Sequence, residues 1–262
     1  MVIDFHAHIY PEKVAEKAVR ATRDFYSIET QCESAAVEAL IEKGRAGGID
    51  RFVVFSAAQS PAQVHSINDF IAHSSGNNPM LTGFGTLHKD MDNPAAEIAR
   101  IKELGLKGIK LHPDMQQFAI DDEGMFGIYE LLAQNKLPII MHCGDYRYTW
   151  SHPERLAHVL DLFPKLVVVA AHFGGWSLFD IAMDYLKQRD CYFDVSSSIM
   201  FLGRRRATEL IKTYGAERML FGSDFPMWNP GSERETLESL DLTAVEKELI
   251  FYKNAQRVLD EG

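Results

Sequence analysis

The chain has 262 residues, 46% hydrophobic and 24% charged, enough apolar material for one barrel-sized domain or two smaller ones. A formal net charge of -10 speaks against nucleic acid as a partner, because a phosphate backbone needs a basic footprint. Cys32, Cys143 and Cys191 are scattered without a CxxC pair, which argues against a disulfide framework or thiolate zinc knuckle, and no stretch is apolar enough to span a bilayer.

The amino terminus enters Val2-Ile3-Asp4-Phe5 without a basic n-region, so it reads as a first strand rather than a signal peptide, and a cytoplasmic protein is expected. Short apolar runs then recur at residues 2–9, 51–56, 80–87, 107–111, 137–142, 166–172, 191–195 and 219–223, which are candidate strands. The runs at 137–142 and 166–172 are continuously apolar, as expected where helices cover both faces of a parallel sheet. Helical stretches fill the intervals. Capping boxes are expected at Ser60/Gln63, Ser151/Glu154, Ser232/Glu235 and Thr243/Glu246. From the second run onward the strand starts lie roughly 25 to 30 residues apart, close to one βα unit each. The first interval is longer and holds two helical stretches, 12–26 and 34–46, an added helix or lid. The rhythm predicts a single-domain α/β protein over 1–262, a (β/α)8 TIM barrel. A doubly wound sheet is the alternative, but the Gly-rich turn such sheets carry after strand one is replaced here by histidines.

His6 and His8 alternate on the first strand, so both imidazoles point to one side and form half of a metal site. Alone this pair is a weak signal, because half-buried strand histidines are often merely hydrogen-bonded. Other apolar runs also end in one polar residue: His142, His172 and Asp224. In a (β/α)8 barrel these strand ends converge on the active-site face. Burying several imidazoles with a carboxylate is costly unless a cation compensates, and a divalent metal supplies it. Zinc is the expected ion, one per chain, although manganese or a second ion suits the same nitrogen and oxygen ligands.

The segments Ile3-Asp4-Phe5-His6-Ala7-His8, Gly108-Ile109-Lys110-Leu111-His112-Pro113, Met141-His142-Cys143-Gly144, Ala171-His172-Phe173-Gly174-Gly175 and Phe221-Gly222-Ser223-Asp224-Phe225-Pro226 carry a resemblance. Together with the closing Lys253-Asn254-Ala255-Gln256-Arg257-Val258-Leu259, they resemble the amidohydrolase superfamily, and within it the amidohydrolase-2 branch that includes the aminocarboxymuconate semialdehyde decarboxylase-like enzymes. The resemblance implies His6, His8, His142 and Asp224 as metal ligands, His172 as the catalytic histidine, and Asp224 as a proton shuttle. Lys110 matches the position of a carboxylated bridging lysine in binuclear relatives. One metal is nevertheless the expectation, with Lys110 and His112 as further catalytic candidates. Asp194 is expected to orient a ligand through a hydrogen bond. His65, His73, His88, His152 and His158 read as ordinary histidines.

Loops after barrel strands build the substrate pocket. Arg147, Tyr146 and Trp176 are therefore substrate-binding candidates, beside Tyr148, Trp150 and Trp228, with Arg147 or Arg204-Arg205-Arg206 set to recognise a carboxylate. A packing role for these aromatics and a solvated helix start for the arginines weigh equally. The leading expectation is hydrolysis of a small ester, lactone, amide or ring C–N bond by metal-activated water. Non-oxidative decarboxylation of a small unsaturated or aromatic acid is the alternative. A non-catalytic metal-binding barrel ranks below both, because a structural site closes its coordination shell. The expected partner is a small-molecule substrate, neither nucleic acid nor membrane is expected, and a homodimer is compatible with the sequence.

Overall fold

Among the described residues, nine strand segments form eight staves: β1 (Ile3–His8), β2 (Arg51–Phe55), β3 (Leu81–Gly83), β4 (Gly85–Thr86), β5 (Ile109–Leu111), β6 (Ile139–Met141), β7 (Val168–Ala170), β8 (Tyr192–Asp194) and β9 (Met219–Leu220). The computed structural model describes residues 1–261, so Gly262 of the expected 1–262 domain lies outside the described residues. Every pairing is parallel, in the orders β1-β2-β3 and β4 through β9. The third stave is divided at Phe84, whose N–H donates to Val54 O, while Gly85 N–H turns to Gly108 O. The ring closes between the last and first staves through Phe5 N–H to Phe221 O and His8 N–H to Phe225 O, both 2.8 Å. The fold is therefore the expected (β/α)8 barrel.

Two apolar layers follow from strand alternation. Ile3, Phe5, Val53, Phe55, Phe84, Ile140, Val169 and Leu220 fill the barrel interior, with Ala255 and Val258 of the last helix closing one end. Their neighbours Val54, Ile139, Met141, Val168 and Ala170 face outward, into the larger layer beneath the helices. Lys110 stands between the outward Ile109 and Leu111, so alternation turns it inward, where it is fully buried.

The first strand breaks this rule. Ile3 pairs with Arg51 and Asp4 with Phe52, yet Ala7 pairs with Val54, leaving one extra residue on β1. Such a bulge re-aims the side chains beyond it. Ile3 and Phe5 face the interior before it, and regular alternation would send His6 and His8 outward; the bulge brings them back in. Asp4 Oδ1 ties it down by accepting the N–H groups of His6 (3.1 Å) and Ser223 (2.9 Å).

The long first interval holds helices at Glu12–Tyr26 and Val37–Gly47, as the periodicity predicts. Of the four expected capping boxes only Thr243/Glu246 forms. Ser151 gives its hydroxyl to Asp114, leaving His152 to cap the next helix. Asn229 caps the helix Pro230–Glu238, which places Ser232 inside it, and Gln63 accepts from the Gln59 N–H rather than closing on Ser60. Proline at the first helical position sets the start of two of these helices, at Pro153 and Pro230, in place of the hydroxyl spacing. The three cysteines are buried free thiols. No helix among the described residues is long and apolar enough to cross a membrane.

Candidate metal centre

The strand ends place the chemistry. His6 and His8 come from β1, Lys110 and His112 from the end of β5, His142 follows β6, His172 follows β7, and Asp194 closes β8. Asp224 lies past β9 in a left-handed conformation, φ 57°, its N–H donating to His6 O at 2.8 Å. Gly222 makes room beside it: a Cβ there would stand 2.8 Å from His6 Cβ.

Asp224 Oδ1 lies 3.3 Å from His6 Nε2 and 3.4 Å from His8 Nε2, which are themselves 3.3 Å apart. His6, His172 and Asp224 each offer an atom within 4.8 Å of the others. His142 joins this group through His172, with 3.1 Å between His142 Nδ1 and His172 Nε2. All the histidines and the aspartate singled out in the sequence therefore meet at one end of the barrel.

Their outer contacts fix which ring atoms face inward. His142 Nε2 lies 2.9 Å from Gly144 O, and a carbonyl only accepts, so Nε2 carries the hydrogen and Nδ1 presents a lone pair. His172 Nδ1 likewise donates to Ser196 O (3.0 Å), leaving Nε2 as an acceptor. His6 Nδ1 donates to Asp194 Oδ2 (2.9 Å), the orienting contact expected of Asp194. Two lone pairs thus face each other across the His142–His172 gap, while His6 and Asp224 present more nearby. A cation satisfies such a set, and the donors fit a divalent ion. Lys110 is a donor of this chain that reaches it, its Nζ 3.1 Å from His6 Nε2 and 4.9 Å from the Phe55 ring centroid.

Burial dominates the titration of these groups. Desolvation, with Lys110 nearby, lowers His6 to about 3. Desolvation also lowers His8, His112 and His142 and brings Lys110 down to about 8. Burial works against the charge on Asp224, but the imidazoles, His6 foremost, outweigh it and hold the carboxyl well below its usual range. Ser197 fixes the other oxygen, donating to Asp224 Oδ2 while accepting from Trp228 Nε1 at 2.7 Å.

His112 stacks on His142, rings 4.1 Å apart and 8° from parallel, and its Nε2 meets the Tyr26 hydroxyl at 2.8 Å. Tyr26, Trp176, Phe201 and Trp228 line the pocket together with His142, His172 and Asp224. Of the substrate-binding candidates Trp176 and Trp228 stand there. Tyr146 is 73% exposed on the surface. Arg147 is engaged internally: Nη2 pairs with the buried Asp145 at 2.6 Å, Nε donates to the same carboxylate, and Nη1 donates to Phe25 O. Arg205 and Arg206 pair with Glu209, and Arg206 also with Asp180, on an outer helix. Tyr26, Ser196 and Ser197 are site residues that the sequence reading passed over.

The amidohydrolase family model matches residues 3–260. The chain belongs to the amidohydrolase-2 family. Among solved structures, the chain is similar to an uncharacterised TIM-barrel protein from Bordetella bronchiseptica, at 22% identity and TM-score 0.80, over 99% of this chain and 98% of that one. 5-Carboxyvanillate decarboxylase LigW from Sphingomonas paucimobilis matches at 16% identity and TM-score 0.75, covering 99% and 98%. A dihydroxybenzoic acid decarboxylase from Polaromonas sp. JS666, with bound manganese and an inhibitor, matches at 16% and 0.77, covering 99% and 96%. No curated protein matches the chain by sequence. At such identities the likeness to solved structures carries the fold.

Proposed function

We propose that this member of the amidohydrolase-2 family is a divalent-metal-dependent, non-oxidative decarboxylase of a small aromatic or unsaturated carboxylic acid. The observation that carries the reading is one lining shared by two kinds of residue. His142, His172 and Asp224 present acceptors, and Tyr26, Trp176, Phe201 and Trp228 present aromatic faces. A planar acid stacks on such faces. As carbon dioxide leaves, charge spreads from a compact carboxylate into a ring, and apolar walls disfavour the compact charge more than the dispersed one. The two decarboxylases of similar fold support this over the hydrolysis that the sequence put first.

His6, His8, His142 and Asp224 would hold one divalent ion, supplying positive charge to bind and polarise substrate oxygens. The manganese in the Polaromonas enzyme makes manganese as good a candidate as zinc. His172 is the proton carrier: Ser196 O holds Nδ1–H, so Nε2 is the atom that takes up and delivers a proton. In the balanced reaction the ring carbon gains this proton, the bond to the carboxylate carbon breaks with its electron pair left on the ring, and carbon dioxide departs. Asp224, ionised and fixed by Ser197, stays an acceptor throughout. Tight burial of Lys110 beside His6 keeps a cation among the ligands and supports the single-ion reading.

Turnover of 2,6-dihydroxybenzoate, 5-carboxyvanillate and related acids in 18O-labelled water tests the assignment. The expected result is carbon dioxide release with no solvent oxygen in the organic product. Labelled oxygen in the organic product without carbon dioxide, from an ester or amide panel, would establish hydrolysis instead. Metal dependence has its own readout. Returning manganese or zinc to chelator-stripped protein at ~100 times Kd should stabilise it by about 2.7 kcal/mol, or roughly 5 to 10 °C in Tm, without any substrate. An unchanged Tm would remove the metal from the proposal.

A further inference from the structure

Tyr26 ends the first helix of the long β1–β2 interval, and its ring meets Trp176 edge-on at 5.3 Å between centroids. Among the described residues its hydroxyl has one protein partner, His112 Nε2 at 2.8 Å. The direction of that hydrogen bond is fixed from the other side of the imidazole. His112 Nδ1 accepts the Met115 backbone N–H at 3.3 Å, and an amide can only donate, so Nδ1 carries a lone pair. The ring hydrogen of the neutral imidazole is then on Nε2 and is given to the phenol oxygen. The phenol proton is left over, on a side chain that lines the same pocket as His142, His172 and Asp224.

We infer that Tyr26 is a substrate-binding residue that donates its phenol proton to an oxygen substituent on the ring of an aromatic acid, so that the pocket selects hydroxylated or oxo-bearing rings over bare ones. This rests on the aromatic-acid reading above and narrows it. The donor is single, neutral and set among aromatic faces, which suits a hydroxyl or keto oxygen. A carboxylate at this wall would ask for a guanidinium, and Arg147 is already committed to Asp145 and Phe25 O while stacking 5.4 Å from the Tyr26 ring centroid. That clamp fixes where Tyr26 stands. Removing the hydroxyl with the ring kept strands His112 Nε2–H as well, but its cost falls on every ligand alike, whereas a lost substrate bond falls only on ligands bearing the oxygen.

Calorimetric titration of manganese-loaded protein with benzoate and with 2-, 3- and 4-hydroxybenzoate reads this without turnover. Wild type is expected to bind at least one hydroxybenzoate about tenfold tighter than benzoate, and Tyr26→Phe to abolish that preference by weakening that hydroxybenzoate about tenfold more than benzoate. A wild type without preference, a preference that survives in Tyr26→Phe, or equal losses for benzoate and hydroxybenzoates would each overturn the assignment. The wild-type comparison needs no variant to fold. If the preference depends on Tyr26 but no carbon dioxide is released from any acid, the decarboxylase reading falls and the binding role stands.

Discussion

Asp224→Asn is expected to lower turnover by about 10³-fold, with the fold intact and divalent metal retained more weakly. The substitution is mild for the backbone, since asparagine tolerates the left-handed conformation that residue 224 adopts at φ 57°. It is severe for the site. The carboxylate is the acidic member of the proposed ligand set, and its Oδ1 stands 3.3 and 3.4 Å from the Nε2 atoms of His6 and His8. Ser197 will keep donating to the remaining carbonyl oxygen, which turns the amide NH2 toward those imidazole lone pairs and blocks the position a cation would take. Metal content by mass spectrometry, thermal melting and turnover separate these effects. A variant with wild-type turnover would show that Asp224 is neither a ligand nor a proton acceptor, whereas a collapse in Tm would assign it a structural role.

The barrel was legible because its staves are short apolar runs at regular spacing, and each run that feeds the site ends abruptly in one polar side chain. His142 after Ile139-Ile140-Met141 and His172 after Val168-Val169-Ala170 could be found that way, since nothing in a buried strand explains an imidazole there. The bulge on β1 was not legible, because residues of either parity in Ile3–His8 are compatible with burial and only the pairing with β2 shows the extra residue. Arg147 was misplaced for a local reason. Asp145, two residues earlier, captures its guanidinium, and the Asp-x-Arg spacing is a signal that could have been weighed against a substrate role. Tyr26 was missed because a tyrosine on the apolar side of an amphipathic helix looks like core. What gives it a function is the tautomer of His112, set by a backbone amide three residues beyond that histidine. Hydroxyl-to-Glu spacings overcounted capping boxes because Ser151 had a better partner in the buried Asp114.

The largest stability effect is expected at Glu233→Gln, and it should grow with pH. Glu233 lies on the helix Pro230–Glu238, is 6% exposed, and has its carboxyl raised from 4.5 to about 8 by desolvation, with the charges of Asp4 and Asp224 adding to the shift. Because the folded value lies above the unfolded one, the carboxyl's favourable contribution is complete below 4.5 and is lost as pH climbs toward 8. At pH 7 the folded chain must keep a proton that the unfolded chain releases, which costs about 3 kcal/mol at 1.36 kcal/mol for each unit. Glutamine copies the protonated acid in shape and polarity without that cost. Melting curves at pH 5 and pH 7 should therefore nearly coincide for the two proteins at the lower pH, and at the higher one favour the variant by roughly 5 to 10 °C. A difference that does not change with pH would mean that a cation or water stabilises the Glu233 carboxylate in solution. The same carboxyl faces Asp4, whose own value is pushed up to about 7 by burial and whose Oδ2 lacks a hydrogen-bond partner. The side of the barrel that holds the β1 bulge is thus built from carboxyls that favour their protonated form. Asp4, not Glu233, holds the bulge through the N–H groups of His6 and Ser223, so the gain in Glu233→Gln should come without loss of the geometry around His6 and His8.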